Sequence, residues 1–170
     1  MTPAVLLLAF VTLQRLGELW LAQRNTRALM AKGAIESGQA HYPLIVGLHA
    51  AWLAGLWLLA RDEPVNLSWL AAFAVLQALR VWVIATLGSR WTTRIITVPG
   101  ETLVRRGPYR FVSHPNYVVV AAEMAVLPLV FGLWGYAVIF FLLNASILWV
   151  RIRAENRALA RSPADGVTLR

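Results

Sequence analysis

The chain contains no cysteine, a single lysine and few charged residues of any kind. The absence of cysteine excludes disulfide bonds, thiolate metal ligands and a cysteine nucleophile. Charged residues make up 14% of the 170 positions and hydrophobic residues 59%, a balance too apolar for an ordinary soluble domain. The composition therefore indicates a small protein that crosses a membrane several times.

The charge that is present is strongly basic, with a formal net charge of +8. In so apolar a chain, a basic excess is more typical of cytoplasmic loops than of a nucleic-acid surface. Thirteen of the sixteen basic residues lie in segments 24–41, 89–115 and 151–170. Five transmembrane helices with the N-terminus outside would place all three segments in the cytoplasm. We therefore predict an all-α, multi-pass membrane protein with a cytoplasmic C-terminus.

Five apolar runs supply the predicted helices, at 3–21, 42–60, 67–89, 117–130 and 136–150. The basic stretch 24–40 is predicted to lie at the membrane surface as a short separate segment. The stretch 90–113 carries Pro99 and Gly100 between short apolar pieces, which indicates an extended turn. Residues from Ser162 onward are predicted to be frayed or disordered.

We interpret the whole chain, 1–170, as a single membrane domain with two parts. Residues 1–100 would form three helices. Residues 101–161 would form a loop, a helical hairpin and an exit from the membrane.

Several ionisable residues lie inside the predicted spans, where such residues usually face the protein interior or a water-filled cavity. Arg15 and Glu18 are three positions apart and can pair on one helix face. Arg80 lies near the end of the third run, from which it can reach the cytoplasmic surface or line a pocket. Glu123 lies within the fourth run. These residues could also serve a transport path, so a small transporter or another non-enzymatic membrane protein is an alternative function.

Two polar segments flank the last hairpin, at 105–117 and 151–157. Pro115 suits the first position of a helix, whose exposed N–H groups can hold an anion. The hairpin between the two segments predicts that they meet on one face. The sequence shows no Ser-His-Asp set, no metal-ligand spacing and no glycine-rich phosphate loop. A positively charged cofactor with its own reactive group fits better, and no metal is expected.

The same two segments resemble the isoprenylcysteine carboxyl methyltransferase family. Residues 107–117 read Gly-Pro-Tyr-Arg-Phe-Val-Ser-His-Pro-Asn-Tyr, and residues 151–159 read Arg-Ile-Arg-Ala-Glu-Asn-Arg-Ala-Leu. The family shows Gly-x-Tyr-x-x-x-Arg-His-Pro-x-Tyr and, after the last span, Glu-Glu-x-x-Leu. Ser113 stands where the family commonly has arginine, and Asn156 replaces the second acid.

The resemblance implies an integral membrane enzyme that takes its methyl group from S-adenosylmethionine. The residues that it implies for the cofactor pocket are Tyr109, His114, Pro115, Tyr117, Glu155 and Asn156. It implies a lipophilic or prenylated acceptor that enters from the bilayer, with an isoprenylcysteine-type carboxylate as the methylated group. The short chain also looks like bacterial relatives, which favours a bacterial inner membrane, a site facing the cytoplasm, and a phenol or enol of an alkylated polyketide as the alternative acceptor.

The nature of the acceptor decides which side chains catalysis needs. A carboxylate is already ionised at neutral pH and needs no base, whereas a phenol or enol benefits from a base or a nearby cation. Arg151 and Arg80 are the candidate catalytic cations, together with Arg153. Glu123 is the candidate catalytic base, and His114 is a second one. Membrane lipid is an expected partner, and nucleic acid is not.

Overall fold

The computed structural model describes residues 2–161. Five helices make up most of it: α1 (Pro3–Met30), α2 (Tyr42–Leu59), α3 (Leu67–Leu87), α4 (Pro115–Val130) and α5 (Trp134–Arg161). Two strands of three residues, β1 (Ile35–Ser37) and β2 (Ile95–Thr97), lie in the segments that connect them. The prediction for Ser162 and the residues after it lies outside the described residues.

Four of the helices, α1, α2, α3 and α5, are long and apolar enough to cross a membrane. Helix α4 has 16 residues. It is about 24 Å long, which is shorter than the roughly 30 Å hydrocarbon core. Most of its residues are nevertheless buried, because it packs against both α3 and α5. The chain is thus a largely helical, multi-pass membrane protein, while the number of crossings and the side of the N-terminus stay predictions.

The helices begin where the sequence carries local start signals. The Thr2 side chain accepts the N–H of Val5 at the start of α1. The Asn66 side chain accepts two backbone N–H groups at the start of α3, and Pro115 occupies the first position of α4. Gly132, with a φ of 71°, lies in the tight turn between α4 and α5, where glycine adopts a left-handed conformation without strain. The predicted hairpin is confirmed.

The first helix is longer than its apolar run. Helix α1 continues to Met30, so residues 24–30 extend it and do not form a separate surface segment. Asn25 lies in this extension, and its amide donates to the carbonyls of Gly88 and Trp91 at 3.1 and 2.8 Å. Tertiary contacts of this kind stabilise helical turns that a polar sequence does not signal.

A two-stranded sheet adds to the helical fold, and the sequence analysis did not predict it. The strands β1 and β2 are antiparallel, with Ile35 opposite Thr97 and Ser37 opposite Ile95. Strand β2 falls in the stretch predicted to be extended, whereas β1 falls in the stretch 24–40 predicted to be interfacial. Three-residue strands are too short to show an alternating pattern, and partners 62 positions apart leave no local signal.

The interior is layered along the helices. One layer is a large apolar core that includes Leu8, Trp52, Leu56, Phe73 and Leu127. At the other end lies a smaller apolar core of Ala22, Val83, Trp91 and Val119. Between these two cores, α1, α3 and α4 each direct polar or charged side chains towards one another. The sequence-predicted functional residues divide between this polar layer and the end of the bundle beyond the smaller core.

Candidate active site

Six polar side chains meet where α4 begins and α5 nears its end. We call them the α4–α5 cluster: Tyr109, His114, Tyr117, Arg151, Glu155 and Asn156. Tyr109 comes from the single-turn helix Gly107–Arg110, which precedes α4. The structure thus brings together segments 105–117 and 151–157, as the hairpin predicted.

His114 occupies the capping position before Pro115 but does not cap the helix, because its side chain accepts no hydrogen bond from α4. The imidazole turns towards α5 instead. Its Nε2 atom lies 3.3 Å from Oδ1 of Asn156, and its Nδ1 atom lies 3.6 Å from Oε2 of Glu155. The start of α4 therefore keeps its backbone N–H groups free of a side-chain cap, while His114 joins the two helices.

Tyr117 holds the carboxylate of Glu155. The hydroxyl of Tyr117 donates to Oε2 of Glu155 at 2.6 Å, a distance typical of a charge-assisted hydrogen bond. The ring of Tyr117 also stacks on that of His114, with centroids 5.5 Å apart and planes inclined by 19°. The two rings and the carboxylate therefore form one ordered unit. The Glu155 side chain remains 29% exposed, so a ligand can reach it.

Tyr109 completes the cluster from the side of the smaller apolar core, against which it packs. Burial raises the pKa of the Tyr109 hydroxyl, and the negative charge of Glu155 raises it further. Both effects disfavour the phenolate. Tyr109 consequently remains a neutral hydroxyl throughout the physiological pH range.

Arg151 is a buried cation, with 4% of its surface exposed. Its Nη2 atom donates to the backbone carbonyl of Thr93 at 2.8 Å, and its guanidinium carbon lies 5.7 Å from the ring centroid of Tyr117. Its Nε atom is buried and has no hydrogen-bond partner within residues 2–161. Across the same residues no ion pair includes Arg151. The cluster therefore contains a buried positive charge that lacks a direct counter-ion.

A second polar group lies between the two apolar cores. We call it the buried ion network: Gln14, Arg15 and Glu18 of α1, Gln77 and Arg80 of α3, and Glu123 of α4. Arg80 donates to Glu123 at 2.7 Å and to Glu18 at 2.5 Å. Arg15 donates to the same two carboxylates, at 2.8 and 3.2 Å. The predicted pairing of Arg15 with Glu18 is confirmed, and it is part of a larger set that joins three helices.

The three predicted catalytic residues do not lie together. Arg151 belongs to the α4–α5 cluster, whereas Arg80 and Glu123 bind each other in the buried ion network. Glu123 is fully buried and accepts from Arg15, Arg80 and Gln77. No hydrogen bond or ion pair among residues 2–161 connects Arg80 or Glu123 to the cluster. With three donors on its two oxygens, Glu123 is placed as a counter-ion, and its catalytic role stays a prediction.

Sequence reasoning missed the residue that holds Arg151. Thr93 acts through its backbone carbonyl, which any residue could supply, so no side-chain signal marked it. Gln14 and Gln77 were missed as well, although a glutamine inside an apolar run is a signal of internal hydrogen bonding. Within residues 2–161 no group of three histidine, aspartate or glutamate side chains has the geometry to hold a metal ion.

The chain matches a known family over the region that contains the site. The model of the isoprenylcysteine carboxyl methyltransferase family matches residues 69–161, which is more than half of the chain and includes the whole α4–α5 cluster. The chain therefore belongs to the isoprenylcysteine carboxyl methyltransferase family, whose members are membrane methyltransferases. The resemblance found in segments 107–117 and 151–159 is confirmed.

Two curated bacterial proteins are similar over most of the chain. The uncharacterized protein YpbQ of Bacillus subtilis is 39% identical over 160 residues, covering 91% of this chain and 95% of its own. An uncharacterized protein of Haemophilus influenzae is 29% identical over 154 residues, covering 86% and 88%. No solved structure matches the chain. Both similarities extend into residues before position 69, which the family model leaves unmatched.

Proposed function

We propose that this protein is an S-adenosylmethionine-dependent methyltransferase that methylates an oxygen of a lipophilic acceptor. The observation that carries the proposal is Arg151, a buried cation beside the Tyr117–Glu155 pair that has no counter-ion among residues 2–161. A buried charge without a partner destabilises the folded protein, and a bound ligand of opposite charge would offset this cost. Family membership supplies the reaction class, and Arg151 supplies a reason for an anionic ligand at this position.

The side chains of the cluster suit S-adenosylmethionine. The cofactor carries a carboxylate, an ammonium group and two ribose hydroxyls, and the unpartnered Nε of Arg151 is available to its carboxylate. Glu155 can accept from the ammonium group or from ribose. The stacked rings of His114 and Tyr117 offer an aromatic surface to the adenine or the sulfonium. When bound, the cofactor supplies a methyl group activated by positively charged sulfur.

The protein itself contributes binding, orientation and exclusion of water. Glu155 and Arg151 lie one helical turn apart on α5, so a ligand held by both has a defined direction along that helix. The Tyr109 hydroxyl, whose pKa is raised by burial, can donate to a ligand without adding charge. Positioning of this kind is the main contribution that methyl transfer requires of a protein, because the cofactor already carries the leaving group.

We propose an isoprenylcysteine-type carboxylate as the acceptor group. A carboxylate is ionised at neutral pH, so its methylation needs no general base. The described carboxylates of the membrane interior, Glu18 and Glu123, are both engaged by arginine, which agrees with a reaction that needs neither as a base. The lipophilic part of the acceptor would remain in the bilayer while its carboxylate reaches the cluster.

A phenol or enol of an alkylated polyketide is the second candidate acceptor, and the His114–Glu155 pair favours it. The imidazole lies 3.6 Å from the carboxylate and its side chain is 19% exposed. An imidazole in this position can take up the proton of a weakly acidic hydroxyl, and the carboxylate can stabilise the resulting imidazolium. The two acceptors differ in whether His114 must accept a proton from the substrate.

A transporter would need the charged side chains inside the bundle to bind the transported ion. In the buried ion network the two arginines are matched by two glutamates, and each arginine contacts both of them. A charge that is already paired is a poor binding site for a transported ion. The network therefore favours a structural role, and the enzyme remains the better proposal.

The proposed orientation is an inner-membrane protein with its C-terminus and the α4–α5 cluster on the cytoplasmic side. The basic segments 24–41, 89–115 and 151–170 support it. A reporter fused after Arg161 should be cytoplasmic, and one inserted at Asp62 should be external. Finding both reporters on one side of the membrane would reject the five-span topology.

Binding and turnover test the function. Calorimetry on the detergent-purified protein should detect S-adenosylmethionine or its demethylated product. Transfer of labelled methyl groups should then be measured to a prenylcysteine analogue and to an alkylated phenol. Folded protein that binds neither cofactor form at millimolar concentration would reject the methyltransferase proposal for this chain.

A further inference from the structure

Thr93 contacts the candidate site and the N-terminal half of the chain at the same time. Its carbonyl accepts from Arg151 at 2.8 Å, and its hydroxyl lies 3.1 Å from the hydroxyl of Tyr42, the first residue of α2. Thr93 itself lies in the connection between α3 and β2, outside regular secondary structure. Thr93, which binds Arg151 of α5 through its carbonyl, is therefore itself bound by a side chain of α2.

Tyr42 is fixed from its other side. The guanidinium of Arg94 lies over the Tyr42 ring, 4.5 Å from its centroid, a cation–π geometry. Arg94 also donates to Glu36 at 2.8 Å, and the Glu36 side chain is only 11% exposed. This hydrogen bond raises the pKa of Arg94 above its ordinary value. We call Glu36, Arg94, Tyr42 and Thr93 the positioning chain.

The small sheet fixes the position of Glu36 relative to Arg94. Glu36 lies in the middle of β1, opposite Ile96 of β2, and Arg94 directly precedes β2. The strand pairing therefore sets the distance from Glu36 to Arg94. Both strands also contact α5, so the sheet, which the sequence analysis did not predict, lies next to the site.

The guanidinium of Arg151 has two contacts that can set its orientation, the Thr93 carbonyl and the ring of Tyr117. Within residues 2–161 its side-chain hydrogen bond goes to the Thr93 carbonyl, and its Nε has no partner. Arginine recognises an anion through a planar fork of N–H groups, so its orientation decides affinity. A shift of the Thr93 carbonyl would rotate that fork away from a ligand.

We propose that Tyr42 and Thr93 are positioning residues that orient Arg151 towards the anionic group of its ligand. The inference rests on the proposed function, in which Arg151 binds the cofactor carboxylate. It also gives a role to the N-terminal half, because Glu36 and Tyr42 precede position 69, where the family match begins. The site is thus completed by residues that the family model does not reach.

Matched substitutions test the hydroxyl contact. Tyr42→Phe and Thr93→Val each remove one partner of the pair, while Thr93→Ser keeps it. Loss of one neutral hydrogen bond should weaken binding of the demethylated cofactor about three- to tenfold in calorimetry. Thr93→Ser should bind within about twofold of the wild type. Equal weakening by the serine and valine variants would overturn the proposal.

Tyr136→Phe is the control for a purely structural effect. The Tyr136 hydroxyl makes a hydrogen bond outside the site, because it donates to the backbone carbonyl of Trp52 at 2.8 Å, in the large apolar core. Its loss should lower the thermal unfolding temperature without changing cofactor affinity. A change in affinity as large as that caused by Tyr42→Phe would show that the Tyr42 effect is not specific, and would overturn the proposal.

A double-mutant cycle separates positioning from packing. In an Arg151→Gln background the fork is gone, so Tyr42→Phe should cause no further loss of affinity. Full additivity of the two substitutions would overturn the proposal.

A measurement without ligand separates this inference from the proposed function. In protein labelled with 15N-arginine, the side-chain N–H signals of Arg151 should shift or broaden with Tyr42→Phe but not with Tyr136→Phe. Unchanged signals would overturn the positioning role even if the cofactor binds. Absence of cofactor binding by the wild type, with those signals shifted, would instead reject only the proposed function.

Discussion

The buried ion network and the α4–α5 cluster use the same kinds of side chain in opposite ways. In the network, Arg15 and Arg80 face Glu18 and Glu123, and each carboxylate is bound by both arginines. In the cluster, Arg151 is buried and has no acidic partner in the described part of the chain, and Glu155 is partly open to solvent. The charges of the network are therefore matched within it. The cluster can still bind an anion through Arg151 and a hydrogen-bond donor through Glu155.

This difference separates stabilisation from binding. A buried ion pair contributes little net stability when intact, yet removing one member leaves an unpaired charge and is costly. An unpaired buried charge is costly from the start, and a ligand can offset that cost. Substitutions in the network should therefore act on folding, and substitutions in the cluster should act on affinity.

The largest effect is expected from Glu123→Gln. The substitution keeps the shape of the side chain but leaves Arg15 and Arg80 to share one remaining carboxylate, Glu18. Loss of one member of a buried pair should lower the free energy of unfolding by about 3–5 kcal/mol. Unfolding by sodium dodecyl sulfate in mixed micelles measures this change.

A charge-balanced variant is the control for Glu123→Gln. Replacing Arg15 with Met in the same protein restores one cation to one anion, so part of the lost stability should return. The folded fraction of either variant should bind the cofactor as the wild type does. If the Glu123→Gln protein had normal stability but no longer bound the cofactor, Glu123 would belong to the binding site. That result would contradict the assignment of the network to folding and of the cluster to binding.

Glu155→Ala should produce the opposite pattern. It removes the acceptor of the Tyr117 hydrogen bond and, in the proposed complex, a charge-assisted bond to the ligand. Loss of such a bond costs about 1.5–3 kcal/mol, so the dissociation constant should rise roughly ten- to a hundredfold. Calorimetry with the demethylated cofactor measures this, and the unfolding temperature should fall less than it does with Glu123→Gln, because Glu155 is partly exposed. Wild-type affinity would exclude Glu155 from the cofactor site.

Tyr117→Phe should have a smaller effect of the same kind. The ring and its stacking on His114 remain, and only the hydroxyl that orients Glu155 is lost. An expected loss of about 1 kcal/mol corresponds to roughly a fivefold weaker dissociation constant. If Tyr117→Phe weakened binding as much as Glu155→Ala, the hydroxyl itself would contact the ligand.

The sequence was most informative where the determinants of structure are local. The start of α4 at Pro115 and the tight turn at Gly132 follow from conformational preferences of those residues. Together they place Tyr117 opposite Glu155, so the core of the cluster could be predicted from the hairpin alone. The family resemblance rests on the same two short segments.

The remainder depends on contacts between distant parts of the chain. The last turns of α1 are polar, and they stay helical because Asn25 binds the carbonyls of Gly88 and Trp91. Strand β1 has a partner only once α2 and α3 have folded back. Arg80 and Glu123 were recognised as functional candidates, but hydropathy does not say which charges face each other. Their pairing with Arg15 and Glu18 required the three-dimensional structure.

The smallest effect is expected in the pH dependence of methyl transfer. A carboxylate acceptor is ionised between about pH 6 and 9, so its protonation does not limit the rate there. Tyr109 adds no titration in this range, because burial and the charge of Glu155 raise its pKa and keep the hydroxyl protonated. At saturating cofactor, the rate with a prenylcysteine analogue should therefore vary little over this interval. A phenolic acceptor, with an unperturbed pKa near about 10, should instead give a rate that climbs with pH. Replacing His114 with Gln sharpens the distinction: carboxylate methylation should keep its flat profile, whereas phenol methylation should slow near neutral pH, because only the small ionised fraction of the phenol can then react. Turnover of the phenol alone, slowed near neutral pH by His114→Gln, would reject the carboxylate acceptor and leave the cluster as the binding site.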